Sequence, residues 1–266
     1  RCLVVAEYRG LDDGVETGGE RVGCEGLGWA VLQEPLNANS FDVLQQLTGV
    51  GPGVRLLDLA CGSGLALQRA EARGAVCHGV DASRALLDVA ALRAPSAALH
   101  CGDMADLPYG DESFDAVTVV NGVQYGSDDV LRETARALRS GAQFAVALWS
   151  DPLDFTAYFA ALSACSPPAP STALTLTDPG VAEGLVEGAG LEVMERGEHD
   201  VVGLYRSMPD ALDGLLSSGP AWGAIGHSGH EPVRTTVQDA VEPFADPDSG
   251  WIAMRATMGH VVARKA

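Results

Sequence analysis

The chain has 266 residues, 47% of them hydrophobic and 20% charged, and its 36 acids against 17 Lys and Arg leave a net charge of −19. This composition supports a packed core and argues against wholesale disorder, while the acidic balance repels the phosphates of nucleic acid and anionic membrane. No apolar run reaches bilayer length and the apolar part of RCLVVAEYRG is short for a signal peptide, so the expectation is one cytoplasmic domain with an insertion.

The chain begins with Arg1 where an initiator Met would stand, which suggests processing or truncation, and residues 1–28 show no sustained period. The six cysteines, Cys2, Cys24, Cys61, Cys77, Cys101 and Cys165, form no C-x-x-C pair. They are expected to be reduced thiols with no catalytic role, and no metal site is expected. From Trp29, WAVLQEPLNA and then FDVLQQL, with Ser40 as its N-cap, read as helical pieces that end at Gly49 and Pro52.

Next, short apolar runs alternate with helical patterns: VRLLDLA, LALQRAEARG, AVCHGVD, RALLDVAALRA, AALHCGD, FDAVTVVN, DVLRETARALRS and QFAVALW. Strands and helices taking turns over short connections predict parallel βαβ units and a doubly wound α/β fold. After Trp149 a helical piece leads into a proline-rich loop, then TDPGVAEGLVEGAG reads as a helix and LEVMERGEHDVVGLY as a strand. Residues 207–245 look helical or looped, interrupted by the glycine-rich GPAWGAIGHSGH, and WIAMRATMGHVVARKA is a final strand.

The turn in LLDLACGSGLALQ suggests a nucleotide-type ligand. A Walker A loop would need Lys and Ser or Thr where Leu65 and Ala66 stand, and a dinucleotide fingerprint would need glycine or alanine where Leu67 stands. Parallel strands bring Asp58, Asp81 and Asp103 to one carboxyl edge, the ligand edge of this architecture. Asp81, about twenty residues past the first glycine, suits a ribose in either reading. Three acids together favour a cationic nucleoside over a pyrophosphate.

The stretches LLDLACGSG, GVDAS, GDMADLPYGDESFDAV and ETARALRSGAQFAVALW, in this order, closely resemble class I S-adenosylmethionine-dependent methyltransferases of the small-molecule, ubiquinone-biosynthesis-like group (methyltransferase type 11). The resemblance runs strongly from Pro52 to Trp149. It implies a Rossmann-like sheet of seven strands, mostly parallel with the last antiparallel, and a helical lid or insertion before the final strand. It also implies that Asp58, Ala60, Cys61, Gly62 and Gly64 shape the methionine end of S-adenosylmethionine, that Asp81, Ala82 and Ser83 meet the ribose and adenine, that Asp103 and Met104 read the adenine, and that Asn121 to Gln124 pass under the sulfonium. Ser140-Gly141-Ala142 departs from the family's Pro-Gly-Gly, and NGVQYG departs from the N-P-P-Y of methylases that act on nucleic acid and protein.

Asp115 begins its strand at the far edge and reads as structural, while His78, His199 and His260 read as packed residues and His100 points into the sheet. His227 and His230, in the glycine-rich stretch, are the base candidates, weighed against a solvated loop. Tyr125, Trp149 and Trp222 are candidates to line an acceptor pocket, whereas Phe155, Tyr158 and Phe159 are expected to pack a helix.

The expected organisation is an N-terminal segment (1–28), a cofactor-binding core with cap helices (29–200), a lid (201–250) and a closing strand (251–266). The expected activity is methyl transfer from S-adenosylmethionine to O, N or C of a small organic molecule, by analogy a secondary metabolite, in a monomer or homodimer. An NAD-dependent oxidoreductase and a methyltransferase-like cyclase or binding protein are the rival readings.

Overall fold

The computed structural model describes residues 28–126, 129–167 and 180–266, so Cys2, Cys24 and the expected N-terminal segment up to residue 27 lie outside the described residues. A short strap of π-helical and 3-10 turns (Trp29–Asn37) leads into α1 (Ala38–Leu47). The alternation follows as β1 (Arg55–Leu59), α2 (Leu65–Ala72), β2 (Val76–Asp81), α3 (Arg84–Arg93), β3 (Ala98–Cys101), β4 (Phe114–Val120), α4 (Asp129–Ala137) and β5 (Leu138–Asp151). Then come α5 (Thr156–Ala164), α6 (Val181–Gly188), β6 (Leu191–Tyr205), α7 (Met208–Leu216), α8 (Gly219–Ser228), α9 (His230–Val241) and β7 (Ile252–Lys265).

The seven strands form one sheet in the order β3-β2-β1-β4-β5-β7-β6. The first five run parallel, and β7 lies antiparallel between β5 and β6. This is the doubly wound α/β sheet that the alternation predicts, in the Rossmann-like, mostly parallel form that the resemblance implies. Strands β1, β4 and β5 read as near-continuous apolar runs because helices cover both faces. On one face α4 and α6 bury Val130, Leu131 and Val186 against Phe144, Val146 and Val261. Across the other, α5 and the three helices between β6 and β7 bury Tyr158, Leu212, Leu215, Val233 and Val237 against Ala145, Ala147, Met254 and Met258. Those helices pack where β5 ends and β7 begins, beside the carboxyl edge of the parallel strands.

Two local expectations are corrected. Ser40 is not an N-cap: it lies inside α1, fully buried, with its hydroxyl 2.8 Å from His199 Nε2. The preceding 3-10 turn runs straight into the helix, so the helix opens at Ala38 and not after Ser40. GPAWGAIGHSGH is not an interruption, since Gly219–Ser228 is helical. Ser218 caps it by accepting from Ala221 N at 3.3 Å, Pro220 sits in the first turn where its missing N–H is harmless, and buried Ala221 and Ala224 supply packing that outweighs the low helix propensity of glycine.

Candidate cofactor site

The turn after β1 is built by residues that tolerate left-handed backbone. Gly62 and Gly64 have φ of 54° and 83°, and Ala60 adopts 52° without that freedom. Gly64 lets the turn lie on α3, because a Cβ there would come 2.8 Å from Ala90 Cβ. Gly79 of β2 does the same from below: a Cβ would fall 2.7 Å from both Cys61 Sγ and Leu67 Cδ1. Leu67 is thus fully buried over a glycine in the strand, the reverse of a dinucleotide fingerprint, which places the small residue in the helix.

The strand ends carry the acids where the parallel order predicts. Asp58 is 3% exposed and accepts from Thr118 Oγ1 at 2.6 Å. Burial, aided by the charges of Glu34 and Asp81, pushes its carboxyl up to about 7 against the lowering effect of Thr118. Asp81, the last residue of β2, accepts from Gly62 N and Ser83 N, each at 2.8 Å, yet burial still raises its pKa. Ser83 also caps α3, accepting from Leu86 N at 3.4 Å, and Ala82 beside it is exposed. Asp103 accepts from Ala105 N at 2.9 Å in the turn after β3, and Met104 is half-buried next to Gly126.

Immediately past β4, Asn121 has φ of 50° and donates its Nδ2 to Asn37 Oδ1 at 3.3 Å. Gln124 donates to the Asn121 carbonyl at 2.8 Å. The buried Oδ1 of Asn121 and Oε1 of Gln124 have no hydrogen-bond partner. Tyr125 closes the 3-10 turn Val123–Tyr125.

Part of the site carries no recognisable motif. Glu34, 2% exposed, reaches from the strap to the glycine turn, accepting from the Ser63 hydroxyl, from Arg93 and, at 3.4 Å, from Leu65 N. Burial raises its pKa against those partners. Arg93 also donates to Ser63 Oγ at 3.1 Å and to the Ala30 carbonyl. Beside Glu34 stands Trp29, whose buried Nε1 has no partner. The only faint signal for this strap in the sequence is an acid inside an apolar helical run.

The acceptor-side candidates are dispersed. Trp149, at the carboxyl end of β5, packs its ring 5.2 Å from Phe155 and 5.4 Å from Phe159. Phe155 and Tyr158 are buried, as a packing role requires. Trp222 is half-buried on α8, and His227 and His230 are exposed, with His230 Nδ1 3.4 Å from Glu231. At the far edge Asp115 pairs with Arg139 and accepts from Arg55 N. Among the described residues, no group of three or more His, Cys, Asp or Glu could hold a metal ion and no helix is long and apolar enough to cross a membrane.

Residues 57–146, the span that builds this edge, match the family model described as a methyltransferase domain. That span of the chain is similar to a methyltransferase domain. The chain is 41% identical over 107 residues to demethylmenaquinone methyltransferase of Mycobacterium sp. (strain KMS), a match that covers 39% of this chain and 45% of the relative. The chain therefore spans about half the length of the curated relatives it matches. The fold likeness extends further along the chain: the (4+2)-cyclase SpnF superposes with a TM-score of 0.55 at 22% identity, over 86% of this chain and 81% of that one. Geranyl diphosphate C-methyltransferase from Streptomyces coelicolor A3(2), solved with Mg²⁺, geranyl diphosphate and S-adenosyl-L-homocysteine, gives 0.51 at 16% over 86% and 79%.

Proposed function

We propose that the protein transfers a methyl group from S-adenosylmethionine to an oxygen, nitrogen or carbon of a small organic molecule. The observation that carries this reading is the charge around the glycine turn. Glu34, Asp58 and Asp81 interact electrostatically in a largely desolvated space, and Arg93 is bonded only to the first of them. Buried carboxylates without counter-ions are costly. A cofactor with a sulfonium and an ammonium relieves that cost, whereas the pyrophosphate of NAD adds to it.

In this reading Gly62 and Gly64 leave room for the methionine end, Asp81 accepts from the ribose hydroxyls, Asp103 and Met104 hold the adenine, and Asn121 to Gln124 lie under the sulfonium. The bound cofactor supplies an activated methyl group. The chain's contribution is alignment of the acceptor with that group and exclusion of water by the strap and the helices α7 to α9. Trp149, Trp222 and Tyr125 are the proposed acceptor contacts. His227 and His230 are placed for proton removal only if the insertion brings them inward, and an acceptor that arrives deprotonated needs neither.

The curated relatives are demethylmenaquinone methyltransferases by name, but their match covers only 39% of this chain. We therefore extend the reading to a secondary metabolite as acceptor, a cytoplasmic location and a monomer or homodimer, without taking the acceptor from those names. Calorimetry separates the readings: S-adenosylhomocysteine is expected to bind the wild type and to bind Asp81→Ala at least tenfold more weakly, while NADH does not bind. Unchanged affinity in Asp81→Ala, or NADH binding in its place, would overturn the assignment. Tight cofactor binding with no S-adenosylhomocysteine formed from any acceptor would instead favour the cyclase or binding-protein reading that the SpnF-like fold keeps open.

A further inference from the structure

The strap before α1 places a hydrogen-bond donor and an acceptor side by side over the glycine turn. A Cβ built on Gly62 would stand 3.3 Å from Glu34 Oε1 and 3.5 Å from Trp29 Nε1, so both atoms flank one point above that glycine. The indole N–H is buried and unpartnered. Glu34 spends its other oxygen on Ser63 and Arg93, and its Oε1 has only the long 3.4 Å contact from Leu65 N. The same strap holds Asn121 through Asn37, and Asn121 Oδ1 is a second buried acceptor without a partner. A buried donor beside spare buried acceptors is the complement of an α-amino acid, whose carboxylate needs a donor and whose ammonium needs acceptors.

We propose that Trp29 and Glu34 recognise the amino-acid end of the cofactor, the indole N–H donating to its carboxylate and Glu34 Oε1 accepting from its ammonium. This rests on the cofactor reading above. It makes residues outside the matched domain part of the binding site. It also gives the strap a ligand-dependent role, because bonds to the cofactor would add to those that Arg93, Ser63 and Tyr205 already make to it.

The test compares two probes that share the thioadenosine and differ in the amino-acid end: S-adenosylhomocysteine, which has it, and 5′-methylthioadenosine, which does not. Trp29→Phe keeps the ring and removes the N–H. Calorimetry is expected to show about tenfold weaker binding of S-adenosylhomocysteine to Trp29→Phe, the order of magnitude of one hydrogen bond to a charged group, with 5′-methylthioadenosine unchanged. Glu34→Gln, which keeps an acceptor oxygen but loses the charge, is expected to show a selective loss of the same kind, and thermal melting identifies any variant that fails to fold. Equal loss for both probes, or no loss for either, in a folded Trp29→Phe protein would overturn the inference and leave the cofactor reading standing. A wild type that binds neither probe would overturn both.

Discussion

The Tyr205 hydroxyl at the end of β6 donates to Gln33 Oε1 in the strap at 2.9 Å, across 172 residues of chain. Both residues are buried, Tyr205 at 1% exposure, and burial raises the phenol pKa, so it stays a donor throughout the physiological range. The strand that leads into the helical insertion is thereby tied to the segment that covers the glycine turn. Gly214 of α7 reinforces the tie, since a Cβ there would meet Leu32 at 2.9 Å and Tyr205 at 3.1 Å.

Tyr205→Phe should therefore strand a buried acceptor. The expected cost is about 1–3 kcal/mol in denaturant unfolding. A weaker affinity for S-adenosylhomocysteine should accompany it if the strap contributes to the site; a cost near zero would mean that Gln33 finds another donor.

Asp58 is expected to make cofactor binding pH-dependent. Its carboxyl titrates near 7 in the free protein, so at pH 6 it is mostly protonated and at pH 8 mostly charged. A cationic ligand favours the charged form, and S-adenosylmethionine should bind more tightly at pH 8 than at pH 6, with protons released on binding. Asp58→Asn should flatten that profile in calorimetry run in buffers of different ionisation enthalpy. The stability effect has the opposite sense. With the folded pKa above the unfolded one, the group's contribution to stability is full below about pH 4 and is lost as pH rises towards 7.

His199 and His260 form the second pH-sensitive contact. Their Nδ1 atoms are 3.3 Å apart, and His199 Nε2 meets Ser40 of α1. Burial lowers both pKa values; for His199 the neighbouring His260 adds to the lowering, while the carboxylates of Asp200 and Glu195 oppose it at His199 and His260 respectively. Depressed imidazoles contribute stability that is complete above the unfolded value near 6.5 and declines as pH falls below it. Because Asp58 acts in the opposite sense over the same interval, the check is a difference: between pH 7 and pH 5 the melting temperature of the wild type should fall relative to that of His260→Asn.

Gly79→Ala tests the packing under the glycine turn. The new Cβ would land 2.7 Å from Cys61 Sγ and Leu67 Cδ1, and Gly79 is buried. Overpacking of this kind costs about 1–3 kcal/mol. Thermal unfolding should register it, and Gly79→Ala should cost less in a Leu67→Ala background than in the wild type.

The alternation of apolar runs and helical patterns was enough to place β1 to β5, and with them Asp58, Asp81 and Asp103 at one edge, because a parallel sheet leaves few other arrangements for such a sequence. Glu34 and Trp29 were not legible in that way. Their positions depend on how the strap crosses the turn, which is fixed by Arg93, Ser63 and Tyr205, all remote in sequence. Ser40 misled for a related reason: a serine before an apolar run fits a cap by local rules, and only the tertiary contact with His199 gives it another role. In α8, buried alanines decided a segment whose glycines alone suggest a loop.

The position of β7 sets an order of events as the chain is made. Among the described residues β6 pairs with no other strand than β7, yet it is finished almost fifty residues earlier, at Tyr205 against Ile252. On a nascent chain, β1 to β5 and the glycine turn can therefore assemble first. The helices between β6 and β7 have no completed sheet to rest on until β7 enters between its two neighbours. A stall in synthesis before Ile252 would leave a formed nucleotide-type edge facing an unfinished roof.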